Sequence, residues 1–175
     1  MNKPRVVVSR CLLGHPVRYN GQLKQAPFPE EYLEKFHLLP ICPEVLAGMS
    51  VPRPAINLTL TDRRVEAVTV ENEHVTDALE EAVERFVASC GAVHGGILKA
   101  RSPSCGIGDV PLHAATGLID TSIETIGAVT DSLTDGIAAK ELAIRFPKAY
   151  FCNEEFLSTD AGRERFLEAV YLRIR

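Results

Sequence analysis

The chain has no internal repeat, no low-complexity linker and no apolar stretch long enough to span a bilayer, which sets aside solenoid and transmembrane architectures. The N-terminal MNKPRVVVSRC carries too brief an apolar run for a secretory signal. Lys and Arg form no basic stripe and the net charge is −4, which argues against a dedicated nucleic-acid partner. The five histidines show no ligand spacing. No two of the five cysteines have the two-residue gap of a zinc ribbon or ferredoxin. The expected setting is cytoplasmic and reducing, where disulfides are rare. Each cysteine is then core filler, metal ligand or reactive thiol.

What is present is an ordinary folding composition. The sequence has 175 residues, 46% apolar and 24% charged, enough for one domain with a proper core (1–175) and too short for two large ones. Arg5–Ser9 (RVVVS), His37–Ile41 (HLLPI), Gly95–Leu98 (GGIL) and Lys148–Cys152 (KAYFC) read as short strands. Ile56–Leu60 and Val65–Val70 read as a small hairpin around Asp62-Arg63. Val75–Cys90 has the clearest helical period, with Asp77 and Glu80 as a capping box and Gly91 as the stop. Shorter helices are expected within Phe28–Phe36 and from Thr134-Asp135-Gly136 to about Phe146, and a last one over Thr159–Ile174. Strands alternating with helices predict an α/β fold, a mostly parallel sheet with flanking helices and a small hairpin. Residues 153–175 form a C-terminal helical extension.

Three cysteines fall where such a sheet places its sites. Cys11 follows VVVS, Cys42 follows HLLPI, and Cys105 lies in the polar, proline-stiffened turn SPSCG after GGIL. If these strands are parallel, all three thiols emerge at one edge of the sheet. A cysteine taken singly is more often a small buried hydrophobe. Cys90, on the apolar face of the best helix, and Cys152, in an apolar strand, read that way. Composition and periodicity alone stop at an α/β domain with a possible cysteine site.

The segments 8-VSRCLLG-14, 17-VRYNG-21, 41-ICPEVLAGMSVPRPA-55, 97-ILKARSPSCGIG-108 and 133-LTDGIAA-139 resemble, in the same order, the TudS-type thiouracil desulfidases, once a domain of unknown function. The resemblance runs from Val6 to Ala139, and Cys152–Arg175 has no matched counterpart. It implies a compact α/β domain carrying a [4Fe–4S] cluster on Cys11, Cys42 and Cys105, with one iron left open for the sulfur of a thiolated pyrimidine. It further implies non-redox, hydrolytic desulfuration, with Glu44 as catalytic carboxylate and Ser102 as catalytic serine. A position where many members carry another cysteine is Val17 here, which cannot ligate.

The chemistry suits those residue types. Thiocarbonyl sulfur is soft, as is iron bound by thiolates. Glu44 would act as general base or proton shuttle; its bland role is a helix-start glutamate after Pro43. Ser102 would hold the substrate or relay a proton; its bland role is a bond to the local backbone. Ser9, Lys99 and Ser104 are candidates to touch the substrate, and Lys99 also to balance cluster charge. Arg18 and Arg53 are given loop-anchoring roles only. The expected partner is a small thiolated pyrimidine, with no nucleic acid and no membrane, in a monomer or small homo-oligomer. Two alternatives stay open: a structural or sensing domain with zinc closed by the three cysteines and Glu44, and a thiol hydrolase with Cys105 as nucleophile. The second needs a histidine partner.

Overall fold

The computed structural model describes residues 3–61, 64–114 and 129–174. In chain order the strands are β1 (Arg5–Ser9), β2 (His37–Ile41), β3 (Ile56–Thr61), β4 (Arg64–Thr69), β5 (Gly95–Leu98), β6 (Val110–Ala114), β7 (Val129–Thr134) and β8 (Tyr150–Asn153). The helices are α1 (Glu30–Leu33), α2 (Pro43–Leu46), α3 (Thr76–Ser89), α4 (Ile137–Arg145) and α5 (Asp160–Leu172), with 3-10 turns at Arg10–Leu13 and Glu154–Ser158.

Two four-stranded sheets form. The first, in the order β2-β1-β5-β8, is parallel throughout. Its centre is β1, whose VVV run is fully buried because a parallel sheet is covered on both faces. Successive side chains alternate between those faces. Val6 and Val8 join Ile97, Leu157 and Phe166 of one core; Val7 joins Ile41, Val83, Leu98 and Leu142 of the other. Each such side chain stabilises the fold by about 1.5–3 kcal/mol on burial. The pairs Val6/Val8 and Val7 therefore commit α5 and α3–α4 to opposite sides.

The α/β fold with a parallel sheet and flanking helices is as expected, and the expected hairpin is part of a second sheet, in the order β4-β3-β6-β7. The hairpin β3–β4 is there, antiparallel as read, but β3 also pairs in parallel with β6, and β6 with β7 antiparallel. Strands β6 and β7 carry little signal in the sequence. VPLHA holds a proline, which weakens a strand pattern, and VTDSLT is too polar to alternate cleanly. The expected turn at Asp62-Arg63 lies outside the described residues. Helix α3 serves both sheets: Leu79 packs with Leu58, Ala67 and Leu112 of the second, while Val83 and Val87 pack on the first.

The helix boundaries follow the sequence closely, except for the capping box. Helix α3 starts at Thr76 with no side-chain cap. The Thr76 hydroxyl instead accepts from the Ala67 N–H at 2.9 Å. Asp77 and Glu80 point outward to Arg64, at 2.9 and 3.4 Å. Beyond α3, Gly91 adopts the left-handed φ of 64° that reverses the chain. Helix α5 is capped by Thr159, whose Oγ1 accepts from Gly162 N at 3.1 Å.

Gly136, just before α4, controls how closely that helix approaches the loop bearing Cys105. A Cβ there would lie 2.5 Å from the Ser104 carbonyl carbon and 2.7 Å from Cys105 N, so α4 meets the 102–106 loop backbone to backbone. Gly136→Ala should lower the urea midpoint, read by equilibrium unfolding, and unchanged stability would show that the contact is dispensable.

At the opposite end of the sheet, His94 Nδ1 accepts the Arg5 N–H at 2.9 Å, which requires neutral imidazole. Burial holds its pKa below the ordinary histidine value. The unfolded chain then takes up the proton first as pH falls below ~6.5, and folding stability declines. His94→Asn should be less stable at pH 7.5 yet lose less between pH 7.5 and 5.5. An unchanged pH slope in urea titrations would overturn this.

Candidate active site

Parallel pairing sets the site. Strands β2, β1 and β5 are neighbours, and adjacent strands lie about 4.8 Å apart. Cys42 directly follows β2, Cys11 lies in the 3-10 turn after β1, and Cys105 lies in the loop after β5. All three line one cavity of about 410 Å³, together with Ser9, Glu44, Lys99 and Ser102. The other charged residues of its wall are all basic: Arg10, Arg18, Lys24, Arg53 and Arg101. Among the described lining residues Glu44 is the one acid, and there is no histidine.

The SPSCG loop is held by its own backbone and by α4. Gly106 N donates to the Ser102 carbonyl at 2.8 Å. The Ser102 hydroxyl oxygen accepts from Ser104 N at 3.3 Å and Cys105 N at 3.2 Å. The loop carbonyls in turn accept the first amides of α4: Gly106 O from Gly136 N at 2.8 Å, Pro103 O from Ile137 N at 3.2 Å and Ser104 O from Ala138 N at 2.7 Å. Amides that a helix start leaves without intrahelical partners are thus satisfied by the loop that carries Cys105. With its oxygen accepting two amides, Ser102 has its hydroxyl hydrogen left to donate. It makes the bland backbone bonds and still faces the cavity.

Glu44 is the second residue of α2 and is buried. Its Oε1 accepts from the Ser104 hydroxyl at 2.9 Å, and its Oε2 from the Cys42 thiol at 3.3 Å. The Arg53 guanidinium lies 3.9 Å from Oε2 and donates to Val17 O at 2.9 Å. Ser104, a candidate substrate contact in the sequence, does not line the cavity. It is fully buried behind Glu44 and holds that carboxylate. Ser9 is at the wall, where its oxygen accepts from Lys99 N at 2.9 Å and its side chain hydrogen-bonds Cys105.

Burial and the nearby Glu44 carboxylate push the Cys42 thiol up to about 12. The same two causes hold Cys105 well above the ordinary thiol range, against a smaller opposing effect from the Ser9 hydrogen bond. Cys11 is also raised by burial, with Lys99 opposing. Protonated buried thiols are poor nucleophiles. They become ligands when a metal takes the place of the proton. Cys90 and Cys152 lie outside this group: both are buried, Cys90 donates to Phe86 O at 3.2 Å, and Cys152 packs beside Leu157 and Phe166.

Two charged groups have roles that the sequence does not reveal. Arg53, expected only to anchor a loop, is buried against Glu44. Glu154, at the C-end of β8, is 1% exposed; its Oε1 lies 2.6 Å from Lys99 Nζ. The rule that points to the three cysteines, polar residues just past a parallel strand, applies equally to 152-CNEE-155.

The three thiols are disposed around a cavity instead of converging on a point. Among the described residues, no group of three His, Cys, Asp or Glu side chains could hold a metal ion between them. Three soft donors spread along one wall, with cations around them, fit a polynuclear thiolate-bound cofactor of net negative charge better than a single ion.

Similarity to known proteins follows the same residues. A family model described as 2-thiouracil desulfurase matches residues 6–154. The uncharacterized protein YbbK of Bacillus subtilis (strain 168) is 33% identical over 111 residues, 59% of this chain and 74% of that protein. The solved structure of TudS, a [4Fe–4S]-dependent thiouracil desulfidase, superposes with a TM-score of 0.69 at 27% identity, covering 97% of this chain and 99% of that one. The match therefore extends past Ala139, where the motifs stop, and takes in the C-terminal region that they left without a counterpart. With the family model covering most of its length, the chain belongs to the 2-thiouracil desulfurase family.

Proposed function

We propose that this chain is a [4Fe–4S]-dependent desulfidase that hydrolyses the C=S group of thiouracil or a related thiolated pyrimidine, with Cys11, Cys42 and Cys105 as the protein ligands. The observation that carries the reading is the meeting of those three thiols and Glu44 on one cavity wall. The cavity draws residues from both sheets, Ile41 from β2 and Ile56 from β3, which supports reading 1–175 as one functional unit. No helix of the described residues is long and apolar enough to cross a membrane.

When bound, the cluster supplies a soft Lewis-acid position for the thiocarbonyl sulfur, which makes its carbon more electrophilic. The protein's own groups supply the remaining chemistry. Cys42 gives up its proton on becoming a ligand. Glu44 Oε2, which accepts the hydrogen bond of that thiol in the metal-free protein, is then free to accept one from water. Ser104 meanwhile keeps the carboxylate aimed through Oε1. Glu44 takes one proton from the attacking water at Oε2 and returns it to the departing sulfur, while the second water proton leaves to solvent as the carbonyl forms, so that C=S and water become C=O, hydrosulfide and a proton with no change of oxidation state. Ser102 donates its hydroxyl hydrogen to a sulfur or oxygen acceptor of the pyrimidine. The basic wall favours release of the sulfur as an anion.

The two alternatives find less support. A zinc ion closed by three cysteines and Glu44 needs those donors gathered about one point. A nucleophilic Cys105 needs a lowered thiol pKa and a histidine, and burial shifts that thiol the other way.

Protein purified without oxygen should be brown and hold about four irons per chain, as a [4Fe–4S] site requires. Changing Cys11, Cys42 or Cys105 to serine should each abolish the colour, while Cys90→Ser and Cys152→Ser keep it. Colourless wild-type protein with one zinc would overturn the cluster. Glu44→Gln should keep iron and colour but slow sulfide release from 2-thiouracil or 4-thiouracil by ~10²-fold or more, the size expected for general acid–base work. Undiminished turnover would remove Glu44 from the mechanism.

A further inference from the structure

The buried carboxylate of Glu154 has no part in the chemistry above, yet both cations it meets, Lys99 and Lys24, line the same cavity. Its Oε2 accepts from Ala100 N at 2.6 Å. Its Oε1 receives no aligned hydrogen bond, although Lys99 Nζ is 2.6 Å away. Lys24 Nζ, on the segment that borders the cavity, is a second cation 4.0 Å from the same oxygen. A carboxylate with 1% exposure is costly to bury unless it is paired, and these two lysines pair it. In return, the Lys99 ammonium is held in one place. That lysine's side chain is 14% exposed and lines the cavity; one of its three N–H groups donates to Ala100 O at 2.8 Å, and even with a second turned to Glu154 one remains. The third is available to the cavity.

We propose that Glu154 is a positioning residue that fixes the Lys99 ammonium, and that Lys99 donates its remaining N–H to the unthiolated carbonyl oxygen of the substrate ring. This rests on the desulfidase reading and deepens it: the pair selects thiolated rings that carry a second, oxygen-bearing carbon. The placement is consistent across the sheet. Lys99 and Glu154 follow the adjacent strands β5 and β8, and Cys42 and Cys11 follow β2 and β1, so Lys99 lines the cavity from the β5 side and Cys42 from the β2 side. Lys99 and Cys11 line the same cavity, which sets the ammonium beside the cluster-binding residues. A flat ring with its sulfur toward the thiolates would reach Lys99 with its other carbonyl.

The test is a double-mutant cycle on Lys99→Met and Glu154→Gln, with Lys99→Arg alongside. Two readouts are taken: steady-state kinetics of the anaerobic holoprotein, and thermal unfolding of the metal-free protein. Lys99→Met should raise KM for 2-thiouracil roughly 10- to 100-fold, the range for a hydrogen bond to a charged group, with a smaller change in kcat. Glu154→Gln should raise KM as well, yet add nothing in the Lys99→Met background, because it acts through the lysine. Lys99→Arg should recover part of the loss. The wild-type preference for 2-thiouracil over 2-thiopyrimidine, which lacks the second carbonyl, should vanish in Lys99→Met. Additive effects on KM, or a preference that survives the variant, overturn the proposal. Iron content separates these results from loss of the cluster. If the wild-type holoprotein releases no sulfide, the desulfidase reading falls by itself. The unfolding cycle still decides the positioning: absence of coupling between positions 99 and 154 overturns it.

Discussion

Parallel pairing of β2, β1 and β5 is the constraint on which the site depends. In a parallel sheet every strand ends on the same side, so residues far apart in the chain leave the sheet together. Ser9 pairs with Ile41, which sets Cys11 and Cys42 just beyond adjacent strand ends. A one-residue slip would also invert the alternation of Val6, Val7 and Val8 and expose the wrong faces to α3 and α5. The core packing that stabilises the fold therefore fixes the register that assembles the thiols.

Rigidity around Cys105 comes from mutual satisfaction of backbone groups. The loop needs donors for its carbonyls, and α4 needs acceptors for its first amides. Gly136 lets the two approach without a side chain between them. Cys105 also packs with Ala138 and Ala139 of α4, and Ser102, Pro103 and Cys105 line the cavity.

Charge in the cavity is distributed with the same economy. Two carboxylates are buried near it, and each has its own cation: Arg53 beside Glu44, and Lys99 with Lys24 beside Glu154. A buried carboxylate without such a partner would destabilise the fold. Paired, the two leave a surround that is positive overall, suited to thiolates and to an anionic sulfur product. Glu44 faces the cavity, and Glu154 stands behind Lys99, which lines it.

Much of this was legible from residues alone. The VVV run, the Val75–Cys90 period and the Gly91 stop carried the parallel sheet and its main helix, because burial on two faces and a 3.6-residue repeat leave direct marks in sequence. The ordered motifs around Cys11, Cys42 and Cys105 carried the family. Three things required the folded chain. The second sheet needed the β3–β6 pairing, a long-range contact that Pro111 and the polar β7 conceal. The place of Ser104 behind Glu44, and not at the wall, depended on which way one turn faces. The Lys99–Glu154 pair joins residues remote in the chain, and no local pattern encodes a charge partner brought in by the neighbouring strand. Local periodicity and motif order determine which elements form and which residue types they carry. Only tertiary packing decides which polar groups meet, since that depends on strand order and register across the sheet.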